Sequence, residues 1–151
     1  MKKEKIYLDT SVISAYFDGR LKQRQEDTRV FFKAIAPQYE VYVSEITVRE
    51  LNETKNEALR KKFLRMIKEF KVLIVNQEMM RLAEKYIKDA VFPRKYFDDA
   101  LHIAAASYYK MSCLVSWNFE HIVKVKTRRL VNLENRRNNF EVLEIVSPLE
   151  L

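Results

Sequence analysis

The chain has only one glycine and three prolines in 151 residues. So few turn-formers disfavour a loop-rich all-β fold and favour helices. The single cysteine, Cys113, excludes an intrachain disulfide and a cysteine-based zinc site, and it suits a reducing cytoplasm. No apolar run approaches the roughly 20 residues of a membrane-spanning helix. No cleavable apolar leader follows the basic start MKKEKIYLDT, so neither membrane insertion nor export is expected.

What is present suits one globular unit. Apolar residues make up 48% and charged residues 32%, enough for one continuous core. No linker, repeat or low-complexity segment interrupts the chain, so residues 1–151 are expected to form a single domain. The net charge of +7 is compatible with a polyanionic partner. Lys124, Lys126, Arg128, Arg129, Arg136 and Arg137 cluster late in the chain, with Glu134 the nearby acid. They form either a phosphate-facing patch or a solvated helix face.

Short β-branched runs alternate with longer helical patterns. Strands are expected at 5–9, 40–44, 71–75, 112–116 and 140–145. Helices are expected at 11–17, 22–36, 45–54, 56–69, 77–89, 97–110 and 127–137. The alternation implies βαβ crossovers, hence an α/β domain with a mostly parallel sheet covered on both faces. Ser44 and Asn76 stand where helix N-caps belong, and Thr47 with Glu50 has capping-box spacing. In YFDDALHIAAA (96–106), Asp98 is the expected cap and Asp99, about a quarter turn on, is expected to face the strand ends.

In open α/β sheets, ligands gather beyond the carboxyl ends of the strands. Asp9 ends the first strand, Glu50 lies in the helix after the second, and the aspartate pair begins the helix before SCLVS. WNFEH lies just past that strand. Carboxylates brought together repel unless a cation or proton sits among them, and all-oxygen ligation suits Mg²⁺ or Mn²⁺. Such an ion activates water for attack on a phosphodiester, which needs neither a glycine-rich loop nor a cysteine.

The stretches IYLDTSVISAYF, VSEITVREL, YFDDALHIAAA and LVSWNFEHI, in this order, resemble the PIN-domain family, especially its prokaryotic VapC-like toxin ribonucleases. The resemblance implies a PIN-like three-layer α/β/α domain with a central sheet of about five strands. It implies a Mg²⁺- or Mn²⁺-dependent endoribonuclease, the toxin of a type II toxin–antitoxin system. An RNA substrate, an antitoxin protein and a homodimer are the partners it suggests. The family's acids fall on Asp9, Glu50 (rather than Glu45 or Glu53) and Asp99, with Thr10, Ser11 and Ser116 as polar support. Many relatives carry an aspartate where Asn118 stands, which weakens a second metal site unless Glu120 supplies the carboxylate. Lys124, Lys126, Arg128 and Arg129 are the expected RNA contacts.

The asparagine also motivates another reading, a PIN-like module that binds RNA or protein with little turnover. A phosphoacceptor domain using Asp9 is disfavoured, because no D-x-D-x-T sequence surrounds it. His102 and His121 read as packed residues and Cys113 as a small buried apolar one. Trp117 reads either as a core anchor or as a base-stacking surface.

Overall fold

The computed structural model describes residues 2–151. Five strands, β1 (Lys5–Leu8), β2 (Glu40–Ser44), β3 (Lys71–Leu73), β4 (Cys113–Val115) and β5 (Glu144–Val146), form one sheet. Its order is β3-β2-β1-β4-β5, and every pairing is parallel. The expected mostly parallel sheet is therefore wholly parallel. Seven α-helices connect the strands: α1 (Thr10–Phe17), α2 (Lys22–Val30), α3 (Glu45–Asn52), α4 (Glu57–Ile67), α5 (Gln77–Lys88), α6 (Phe97–Tyr108) and α7 (Val125–Arg137).

The period-two strands sort the core into two layers. Ile6, Leu8, Val43, Cys113 and Val115 pack with Val12, Ile13, Phe31 and Phe63 on one face. Tyr7, Tyr42, Leu114 and Ile145 pack on the other with Met79, Tyr86, Leu101, Ile103 and Val131. Successive strand residues point to opposite faces, so a wholly parallel sheet buries both and gives the α/β/α arrangement. α6 is buried on nearly every side, Ala100 to Ser107 without a break. That explains its run of alanines, which let neighbouring elements approach closely.

The scarcity of glycine leaves a mark at three helix ends. Ala90, Lys110 and Asn139 adopt positive φ values of 59°, 57° and 63°. The following N–H groups of Val91, Met111 and Phe140 close back on Tyr86, Ala106 and Asn135. This is the left-handed helix ending that glycine usually supplies, built here with side chains that tolerate it less well.

Two expected elements differ. The helix over 22–36 ends at Val30 and continues as a wide π-type turn, Phe31–Ile35, and a 3₁₀ turn, Ala36–Gln38, which contains Pro37. The last strand starts at Glu144 rather than 140, because Asn132 of α7 intercepts the chain. Its Oδ1 accepts from the Leu143 N–H at 2.8 Å and its Nδ2 donates to the Leu143 carbonyl at 3.0 Å. Backbone groups held by a side chain cannot join a ladder.

Candidate active site

Strand order reverses direction between β1 and β4, the topological switch point at which a crevice opens beyond the carboxyl ends. Asp9 follows β1 and Ser116 follows β4, so both stand at that crevice. Asp9 is 4% exposed and caps α1, its Oδ1 accepting from the Ser11 N–H at 3.1 Å and the Ser11 hydroxyl at 2.5 Å. The Ser116 hydroxyl donates to Oδ2 at 2.6 Å. Ser11 Oγ in turn accepts from the Trp117 N–H, and Ser116 Oγ from the Asn118 N–H, each at 2.9 Å. The turn after β4 is thereby tied to the same carboxylate.

Glu50, half-buried on α3, accepts on Oε1 from the Thr10 hydroxyl at 2.7 Å and pairs with His102 Nε2 at 2.5 Å. Among the described residues, no hydrogen bond engages its Oε2. The capping box of α3 joins Ser44 and Thr47, not Thr47 and Glu50 as the spacing suggests. Glu45 is occupied elsewhere, accepting from the Val75 N–H.

His102 is 2% exposed and was read from sequence as a packed residue, which it is, but it also touches the site. Nδ1 lies 2.5 Å from the Tyr7 hydroxyl, which lies 2.7 Å from Ser44 Oγ. A neutral ring donates from Nε2 to Glu50 and accepts from Tyr7. A protonated ring donates at both nitrogens, and the hydroxyls turn without any heavy atom moving. Only tertiary proximity links Tyr7, Ser44, Glu50 and His102. The sequence signal was a histidine one turn past the aspartate pair.

The aspartate pair divides differently from expectation. α6 has Tyr96 as its N-cap, with no side-chain cap, so Asp98 does not cap the helix. A 3₁₀ turn, Arg94–Tyr96, runs directly into α6 and leaves no extended residue for an aspartate cap. Asp98 is exposed and pairs with Arg49 at 2.6 Å. Asp99 points inward, within electrostatic reach of Asp9, Glu50, His102 and His121.

Burial pushes the Asp99 carboxyl up to about 6, opposed by His102 and reinforced by Asp9. Burial likewise raises Asp9, against the pull of His102 and the two serine hydroxyls. Glu50 goes the other way: burial would raise it, but His102 and Thr10 hold it below the usual range. For His102, burial disfavours the charge and Glu50 more than restores it, so its affinity for a proton rises. Two carboxylates raised by burial thus stand within electrostatic reach of one lowered by its partners, which concentrates negative charge at the carboxyl edge of the sheet. Among the described residues, no three His, Cys, Asp or Glu side chains are grouped so that they could hold a metal ion as they stand.

The remaining expected residues are spread around this centre. Asn118 Oδ1 accepts from the His121 N–H at 2.9 Å, which fixes the turn and leaves a single lone pair for any cation. Glu120 is 82% exposed and lies near His121 at 3.7 Å. A cleft of about 490 Å³ opens beside Ser11, bounded by Asp18, Arg24, Trp117, Asn118, Phe119 and Glu120. Lys124 and Lys126 border a second hollow of about 450 Å³ with Arg94, Tyr96 and His121. Arg128 instead donates to the Ile145 carbonyl at 3.4 Å, and Arg129 is exposed on α7. Arg20, Lys22 and Arg24, missed in the sequence, border a hollow that shares Trp117 with the first cleft.

A family model for the PIN domain matches residues 6–126. Among solved structures, a toxin–antitoxin complex from Klebsiella pneumoniae aligns at 16% identity with a TM-score of 0.62, covering 80% of this chain and 92% of that one. FitAcB from Neisseria gonorrhoeae aligns at 16% identity and a TM-score of 0.62, over 97% of this chain and 99% of that one. VapC20 from Mycobacterium tuberculosis, described as a sarcin–ricin loop cleaving toxin, aligns at 16% identity and 0.61, over 77% and 92%. No functionally curated protein is detectably similar in sequence.

Proposed function

This chain belongs to the PIN domain family, and on that premise we propose that it is a metal-dependent endoribonuclease acting as the toxin of a type II toxin–antitoxin pair. The observation that supports the reading is that Asp9, Glu50 and Asp99 lie within electrostatic reach of one another at the carboxyl edge of the sheet, with Asp9 and Asp99 both held above the usual carboxylate range. Asp9, the free Oε2 of Glu50 and Asp99 would hold Mg²⁺ or Mn²⁺. When bound, such an ion supplies activation of water and neutralisation of charge on a phosphodiester.

The chain's own residues do the rest. Ser11 and Ser116 fix both oxygens of Asp9, so that carboxylate needs no reordering. Thr10 and His102 hold Glu50 by one oxygen and leave the other free. Asp99 stays available to change its charge with occupancy. Asn118 and Glu120 stand at the rim as further oxygen donors, and Lys124 and Lys126 as phosphate contacts. The antitoxin partner and the homodimer are extended to this chain from the family resemblance and from the toxin–antitoxin complexes of similar fold.

The purified protein is expected to cleave RNA with Mn²⁺, to stop in EDTA, and to lose activity as Asp9→Asn with its thermal melt preserved. Cleavage by a folded Asp9→Asn protein refutes the assignment. The engaged Asn118 carbonyl favours a second reading, an RNA- or protein-binding module with little turnover. A calorimetric titration that finds no Mn²⁺ binding at millimolar concentration selects that one.

A further inference from the structure

The cleft beside Asp9 contains more than the proposed metal chemistry uses. Phe119 follows Asn118 directly and is 45% exposed, while Trp117, two residues earlier, is 5% exposed and anchored by its Nε1–H to Thr28 at 2.9 Å. The rings meet edge to face with centroids 6.0 Å apart. Arg24 lies over both, its Cζ 5.1 Å from the Trp117 ring and 5.8 Å from that of Phe119. None of the ion pairs among the described residues involves Arg24. A fixed tryptophan, an exposed phenylalanine and a guanidinium on one wall make a stacking platform.

The other walls say what would stack there. The Asp18 carboxylate is taken up by Arg20, which leaves the exposed Glu120 as the wall's free carboxylate: it disfavours a phosphate group, and its oxygens can accept from the amino groups on a base edge. The cleft, about 490 Å³, is within the size range of small-ligand sites. Ser11, which holds Asp9, forms part of its lining, so the cleft adjoins the Asp9 carboxylate.

We propose that this cleft is a nucleobase subsite, in which a base of single-stranded RNA adjoining the cut bond stacks on Phe119 alongside Arg24 and thereby selects the bond. The inference rests on the ribonuclease reading and adds where a base sits. Phe119 and Arg24 are specificity residues and take no part in the chemistry.

Trp117 is the only tryptophan in the chain, so its fluorescence reports on the cleft directly. In a non-cutting Asp99→Asn background, a single-stranded RNA hexamer is expected to change that fluorescence. Phe119→Ala is expected to weaken hexamer binding about tenfold, and Phe119→Tyr to restore it. In the otherwise native protein, Phe119→Ala is expected to alter which bonds of a long RNA are cut. Unchanged affinity and an unchanged cleavage pattern in Phe119→Ala overturn the subsite while leaving the nuclease reading intact. A native protein that neither binds nor cuts RNA overturns both.

Discussion

Asp9 and Asp99 approach the same crevice from opposite sides and are held in opposite ways. Asp9 follows β1, and serine hydroxyls from α1 and the end of β4 fill both its oxygens. Asp99 stands in the first turn of α6, where the helix dipole favours negative charge, yet burial wins and its proton affinity rises. The first carboxylate is preorganised by hydrogen bonds made before anything binds. The second is raised by burial as the first is, but no hydrogen bond among the described residues holds it. Under the proposed function, Asp9 is the rigid half that sets geometry and Asp99 the responsive half.

The sharpest way to break this contrast is through the rigid half. His102→Ala removes a buried ring joining Glu50 to Tyr7, and is expected to cost roughly 2–4 kcal/mol in urea unfolding. His102→Gln should recover part of that by bonding one neighbour. An unchanged unfolding midpoint in the alanine variant would mean that the network positions nothing.

The responsive half predicts the reverse sign. Asp99 has a raised folded-state proton affinity, so its stabilising contribution is full below about pH 4 and lost as pH rises through about 6. At pH 7.5 in EDTA, Asp99→Asn is therefore expected to stabilise the domain by roughly 1–2 kcal/mol, allowing for solvent screening. The same variant should lose the rise in Tm that Mn²⁺ gives the native protein. A destabilised Asp99→Asn protein would show that Asp99 is a structural residue like Asp9.

The smallest effect belongs to the neighbouring aspartate. Asp98→Asn breaks one exposed pair with Arg49 and should cost less than about 1 kcal/mol, leaving RNA cleavage unchanged. Loss of activity there with retention in Asp99→Asn would put the inward face of α6 one residue earlier.

Much of this arrangement is legible along the chain, because periodicity and capping act locally. The strand at 40–44, the caps at Ser44 and Asn76 and the helix after YF all appear where the pattern puts them. The start of the last strand does not, since Asn132, distant in sequence, takes up the Leu143 backbone. Asp98 fails as a cap for a comparable reason: the 3₁₀ turn before it leads straight into the helix, and Arg49 from α3 offers a partner.

The sequence by itself determined the helical connections, the order of the acids and the caps at Ser44 and Asn76. Each of those depends on neighbours within a few positions. Tertiary structure alone decided that His102 and Tyr7 join Glu50, and that Arg24 joins Trp117. Those outcomes depend on burial and on distances between elements far apart in sequence, set only when the sheet's two faces are packed.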